Sequence, residues 1–192
     1  MEIRIYFEGK ATLRSGFEVF FADLKTAARG ACSTIQLVAA RNGLSDYRKA
    51  SRTHPDAWNI LLKDSEQAMP ADPRQLGKSH GIDPAFVDRV FWMVELMEAW
   101  FLADRDALAG YYGDGFLPNV IGDTANVEKI PKAEVLERLR RATMKTSKGE
   151  YDKVAHAPFL LERLNSSRVR ERAEHCRLLF GAVAAKLGPA ED

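Results

Sequence analysis

The sequence predicts an α/β protein: a mostly parallel sheet flanked by helices, with a helical C-terminal half packed on it. Three observations predict this. Strand-length apolar segments alternate with helix-length segments over residues 1–112, the order that builds parallel pairs through helical crossovers. Residues 113–192 carry only helix and loop patterns. The 192 residues are 46% hydrophobic and 29% charged, a composition that fills one globular core without cross-links. One domain over 1–192 is expected, with 1–112 as its α/β core and 113–192 as a mainly helical extension.

The first strand is Ile3–Phe7, where Ile3, Ile5 and Phe7 alternate with Arg4 and Tyr6 until Glu8-Gly9 breaks the pattern. Over 12–28, Leu13, Phe17, Phe20, Phe21 and Leu24 recur at helical steps, and Gly30 stands just past the end. Residues 34–39 (TIQLVA) are short and β-rich, a second strand, followed by the turn signal Asn42-Gly43. A short polar helix, about Ser45–Thr53, leads to the apolar run Trp58–Lys63, which reads as a buried strand. Five Pro and Gly residues make 67–85 a loop, with at most one short helix near Arg74–Ser79. Val90–Leu96 is the fourth strand and runs into a helix from about Glu98 to Tyr111. Residues 113–131 read as loop and Lys132–Lys145 as a charged helix. The last helix, about Arg168–Leu187, is capped by Ser166 or Ser167. Its stripe of Val169, Ala173, Cys176, Phe180, Val183 and Leu187 reads as core or, alternatively, as a docking face.

Composition also excludes. Net charge is +1, so a nucleic-acid ligand would need a local patch rather than a polycationic chain. The charge is uneven: residues 1–131 hold 15 Lys+Arg against 18 Asp+Glu, whereas 132–177 hold 12 against 7. Cys32 and Cys176 are expected to be small core residues, and with no CxxC or HxxxH pair the sequence offers no zinc site. No secretory signal is visible, and no apolar run approaches the roughly 20 residues that span a bilayer. The expected location is the cytoplasm, away from the membrane.

Three acids follow strand ends: Glu8 after the first strand, then Asp64 and Glu66 after Trp58–Lys63. Open α/β sheets bind ligands beyond the carboxyl ends of their strands. Two positions apart, Asp64 and Glu66 would point the same way in extended chain. Such clustered carboxylates raise one another's pKa values, and a hard divalent cation such as Mg²⁺ relieves that repulsion. Glu98, directly after the fourth strand, is a candidate fourth acid. Asp104, on the apolar face shared by Met97, Trp100, Phe101, Ala107 and Leu108, is either a buried hydrogen-bond acceptor or part of the same site. In the basic stretch, Lys148, Lys153, Tyr151 and His156 are candidates for gripping phosphates. The alternative for that stretch is a solvated, salt-bridged surface.

A glutamate at the first strand's end followed by an acidic pair resembles the TOPRIM arrangement. The stretches IYFEG (5–9), LLKDSE (61–66), MEAWFLADRDAL (97–108), IPKAEVL (130–136) and KGEYDKVAH (148–156) resemble one TOPRIM-like family, domain of unknown function 4276. The resemblance implies a TOPRIM-like, Rossmann-like fold in a bacterial protein often encoded beside an AAA or ABC-type ATPase, in settings that suggest phage defence. It also implies Glu8 as general acid/base, and Asp64 and Glu66 as ligands of Mg²⁺ (or Mn²⁺). Glu66 departs from the usual Asp of that pair. The resulting expectation is a metal-dependent nuclease acting on DNA or RNA; the alternative is a non-catalytic binding or adaptor partner of an ATPase. No GxxxxGK[ST] or GxGxxG phosphate loop supports nucleotide chemistry instead.

Overall fold

A computed structural model describes residues 1–188. Four strands, β1 (Glu2–Glu8), β2 (Thr34–Ala40), β3 (Trp58–Asp64) and β4 (Val90–Met93), form one sheet in the order β2-β1-β3-β4. Every neighbouring pair is parallel. Helices α1 (Arg14–Phe20) and α2 (Ala22–Gly30) cross from β1 to β2, and α3 (Leu44–Thr53) crosses from β2 to β3. Helix α4 (Pro73–Ser79) and a 3-10 turn (Pro84–Arg89) lead to β4. Seven helices follow: α5 (Ala99–Ala103), α6 (Arg105–Tyr112), α7 (Pro118–Ile121), α8 (Lys132–Thr143), α9 (Lys153–Leu161), α10 (Ser166–Arg172) and α11 (Glu174–Leu187). This is an α/β, Rossmann-like arrangement.

Both sheet faces are covered. Ile3, Ile5 and Phe7 of β1, with Ile60 and Leu62 of β3, enter one large core shared with Phe17, Phe20, Trp100, Leu139, Leu161 and Phe180. Tyr6, Leu61 and Trp92 face the other way, against Tyr47, Leu76 and Ile82. Burial on both faces is why β3 reads as a continuous apolar run rather than an alternating one.

The strand order positions the site. The chain leaves β1 for β2 on one side, then returns to place β3 on β1's other side. The connections that leave β1 (toward β2) and β3 (toward β4) run to opposite sides there, which opens a crevice beyond the carboxyl ends of β1 and β3. Glu8 and Asp64 are the last residues of those two strands.

Several elements differ from expectation for local reasons. The helix expected over 12–28 breaks at Phe21 (φ −96°, ψ 16°), after a 3-10 turn at Ala11–Leu13. The fourth strand stops at Met93, because Glu95 takes a left-handed φ of 53°. The helix expected over 98–111 is two helices: Asp104 leaves helical geometry and caps α6, its carboxylate accepting the Ala107 amide. The last helix is likewise split at the extended Ala173, and its cap is Asn165 rather than Ser166 or Ser167. Within the loop expected over 113–131, α7 and a 3-10 turn at Val127–Lys129 form. Helix α9 was not expected: Pro158 lies inside it and its apolar residues mark no narrow stripe. The stripe from Val169 to Val183 is buried core, not a docking face. Cys176 is buried as expected, but Cys32 is exposed in a left-handed turn (φ 48°). Among the described residues no helix is long and apolar enough to cross a membrane.

Candidate active site

A cavity of about 260 Å³ opens at the β1/β3 crevice, and Glu8, Gly9, Asp64, Glu66, Met97 and Lys153 are among its lining residues. Glu8 projects from the end of β1 with its side chain 29% exposed. Lys63 donates to both of its carboxylate oxygens, each at 2.8 Å. Lys63 immediately precedes Asp64, yet strand alternation sends the two side chains to different partners. Gly43, at the turn after β2, lies so close that a Cβ there would stand 2.9 Å from Glu8 Oε1.

Asp64 is far less accessible, its side chain 13% exposed. Its Oδ1 accepts the Met97 amide at 2.9 Å, and its Oδ2 stands 3.8 Å from Lys153 Nζ with no hydrogen bond among the described residues. Burial pushes the Asp64 carboxyl up to about 7; Lys153 and the Met97 amide oppose the rise, while Glu98 and Glu8 add to it. The segment after Asp64 is pinned against the one after β4. The Ser65 amide donates to Met93 O and the Glu66 amide to Glu95 O, both at 3.0 Å, and Ser65 Oγ accepts the Glu95 amide at 2.7 Å.

Glu98, the residue before α5, is fully buried. It accepts the Tyr151 hydroxyl at 3.0 Å and lies 3.2 Å from Lys153 Nζ. Lys153, the first residue of α9, therefore stands between two carboxylates, one from the end of β3 and one from the start of α5. Burial alone would lower its pKa, but Glu98 and Asp64 outweigh that and hold it above the ordinary lysine value. Burial raises the Tyr151 phenol, and the Glu98 charge raises it further. α9 is aimed by Asp152, whose carboxylate accepts the amides of Val154 and Ala155. It is seated against α1, where Gly16 leaves room for Leu161 and the Pro158 carbonyl.

The structure thus brings Glu8, Asp64, Glu66 and Lys153 around one cavity, with Glu98 buried behind Lys153 and Tyr151 behind Glu98. It does not align Asp64 and Glu66 as an extended pair. β3 ends at Asp64 and Glu66 adopts a left-handed φ of 61°, so the alternation that would face them the same way is lost. Glu66 sits half-exposed at the rim, and its hydrogen bond from Lys132 holds its carboxyl below the ordinary range. Asp104 belongs elsewhere: it accepts the Asn165 amide at 2.9 Å and Arg168 at 3.0 Å, which is the structural acceptor role. His156 is buried outside the cavity lining, bonded through Nδ1 to the Tyr112 hydroxyl and the Asp152 amide. Burial lowers its pKa, against Asp152 and with Lys148. Lys148 lies over the Tyr111 ring and does not line the cavity. Reasoning from sequence missed Lys63 and Lys132, whose partners are 55 and 66 positions away. Only the fold makes those contacts local.

Among the described residues no group of three or more His, Cys, Asp or Glu is placed to hold a metal ion. Two carboxylates still fit one by donor chemistry. Glu8 and Asp64 offer hard oxygens to the same cavity, and Asp64 has an oxygen without a hydrogen bond. Mg²⁺ needs only one or two protein carboxylates, keeping waters elsewhere in its shell.

A model of the family described as Domain of unknown function (DUF4276) matches residues 10–184. No curated protein and no solved structure matches the chain.

Proposed function

The chain belongs to the DUF4276 family, and from its site we propose that it is a Mg²⁺- or Mn²⁺-dependent phosphodiester hydrolase, a TOPRIM-like nuclease acting on DNA or RNA. One observation carries this reading. Asp64 is a secluded carboxylate at the β1/β3 crevice, pushed up to about 7 by burial and by neighbouring acids. A site that resists its own negative charge gains most from binding a cation.

Glu8 and Asp64 are the residues that would hold the ion, with Lys63 turning away from Glu8. Glu66 would join only if Lys132 released it. A bound divalent ion supplies charge neutralisation to phosphate oxygens and lowers the pKa of a water. The remaining roles fall to side chains. Glu8 would hold the ion through one carboxylate oxygen and leave the other to accept or return a proton. Lys153, held by Glu98, whose carboxylate Tyr151 fixes in turn, offers a cationic donor to a phosphate oxygen at the cavity wall. The test is cleavage of end-labelled oligonucleotides with Mn²⁺ or Mg²⁺ by the wild type, Glu8→Gln and Asp64→Asn. Both substitutions should abolish metal-dependent cleavage while far-UV circular dichroism stays unchanged. Cleavage that survives either one removes that residue from the reaction.

A second reading draws on a specific feature. Three of the site's acids already have lysine partners: Glu8 with Lys63, Glu66 with Lys132, and Glu98 with Lys153. Charge compensated in this way suits a binding or adaptor partner of an AAA or ABC-type ATPase, such as one acting in phage defence. Titration calorimetry separates the two readings. The hydrolase reading requires Mn²⁺ binding that Asp64→Asn removes, whereas the adaptor reading expects no metal heat and stable co-purification with the ATPase.

A further inference from the structure

Building on the hydrolase reading, we infer that Phe159, on the helix α9 that also walls the carboxylate cavity, and Tyr111, flanked by Lys148 and Arg163, form a platform for single-stranded nucleic acid. The two rings lie near parallel, 13° apart with centroids at 6.3 Å. Phe159 is 50% exposed, a large apolar ring presented to water on α9. Lys148 Nζ stands 5.1 Å from the Tyr111 ring centroid and the Arg163 guanidinium 5.3 Å from it. Arg163 also donates to the Phe159 carbonyl at 2.8 Å, which fixes the cation beside the ring it serves.

Most cations of the basic stretch are ion-paired; Arg141, Lys145 and Arg170 are not, but among the described residues none of those three lies over an exposed ring, and Arg170 covers the buried Phe180. Lys132, Arg138, Arg140, Lys153, Arg168, Arg172 and Arg177 each lie within 4.0 Å of a carboxylate. Lys148 and Arg163 have no such carboxylate among the described residues, and they sit on aromatic faces instead. An exposed Phe159 ring, backed by the half-buried Tyr111 and edged by the two uncompensated cations over Tyr111, matches a single strand in both of its parts. Bases stack on any π-face whatever their sequence, and phosphates are drawn to the flanking charges. Duplex DNA keeps its bases stacked inside and offers such a platform less.

Placement ties the patch to the cavity. Lys153 and Val154, in the first turn of α9, line the cavity. Phe159 is six residues further along the same helix, about 9 Å at 1.5 Å per residue. At roughly 3.4 Å per stacked nucleotide, that is about two to three bases. Helical phase also turns Phe159 about 120° around α9 from Lys153, so a strand resting on Phe159 has to pass around the helix, a path longer than those two to three nucleotides, to bring a phosphate to Lys153.

The experiment is fluorescence anisotropy with labelled 12-mer oligo-dT and oligo-U and the matching duplex, in EDTA so that binding is read without cleavage. Single strands should bind more tightly than duplex. Phe159→Ala should raise Kd about 5- to 100-fold, and Phe159→Trp should restore binding. Lys148→Gln and Arg163→Gln should each lower the slope of log K against log salt by about 0.7. Failure of either single strand to bind the wild type, or an unchanged Kd in a folded Phe159→Ala, overturns the platform. So does equal affinity for duplex. Failure of the hydrolase reading looks different: single strands bind with these dependences, yet Mn²⁺ produces no cleavage. Cleavage by a protein whose affinity ignores Phe159 would leave the hydrolase standing and remove the platform.

Discussion

Asp64 is a carboxylate that the fold keeps from water while bringing two other acids near it. Its folded pKa of about 7 exceeds the value near 3.9 of an unfolded aspartate. Between those values the folded chain holds a proton that the unfolded chain releases, so stability falls as pH rises from about 4 to 7. Asp64→Asn keeps an acceptor for the Met97 amide and removes the charge. It should raise the melting temperature above wild type at pH 8, by an amount worth a few kcal/mol at most, with the gap closing near pH 4. Added Mn²⁺ should raise the wild-type melting temperature at pH 8 and leave Asp64→Asn unmoved. Glu98 is a fully buried acid held by the Tyr151 hydroxyl and Lys153. Tyr151→Phe removes one of those donors and should cost about 1–3 kcal/mol in urea denaturation. At this scale Glu8, Asp64 and Glu98 were legible in the sequence, because each follows a strand that announces itself by its apolar pattern. Their lysine partners were not. A contact between residues 8 and 63 depends on which strands become neighbours, and local pattern does not carry that information.

Helix α9 is the element that completes the site, and its seat depends on a residue in a different helix. A Cβ on Gly16 of α1 would stand 2.4 Å from Leu161 Cβ and 2.8 Å from the Pro158 carbonyl. Both are parts of α9 that cannot swing aside as a flexible side-chain tip can. Gly16→Ala should therefore destabilise the protein by about 1–3 kcal/mol through overpacking, measured by urea denaturation. It should also weaken oligonucleotide binding, since Lys153 and Phe159 move with α9. The strands and the longer helices were readable because their periodicities are strong. The breaks at Phe21, Asp104 and Ala173 were not, because the apolar spacing runs through each break almost unchanged. Asp104 shows the physical reason: its carboxylate gains the Ala107 and Asn165 amides and Arg168 by leaving helical geometry. Two of those partners lie more than 60 positions away.

At the level of the molecule, the sheet and the C-terminal helices share one core. Ile3, Ile60 and Phe20 belong to the same buried cluster as Val135, Leu139, Leu160, Cys176 and Val183. The division into an α/β part (1–112) and a helical extension describes the order of elements and not an energetic boundary. A fragment of residues 1–112 would expose the sheet face that those helices cover. It should be aggregated, or collapsed without fixed packing: near-UV circular dichroism lost while far-UV signal remains. A cooperative near-UV melt of that fragment would show that the second half is dispensable for folding. The uneven charge also takes on a structural meaning. Lys132 and Lys153 of the basic stretch close onto acids of the front half, at Glu66 and at Glu98 and Asp64.

Lys153 enters the cavity from late in the chain, whereas Glu8 and Asp64 come from its first third. During synthesis the sheet's carboxylates emerge well before α9, and chains fold from the N-terminus as they lengthen. A half-made chain therefore carries the acids without the lysine and the helix that wall them in. The cavity, and the strand platform on the same helix, come into being only once α9 has been made and seated against Gly16. On the hydrolase reading proposed above, a growing chain therefore lacks its full site until α9 is in place.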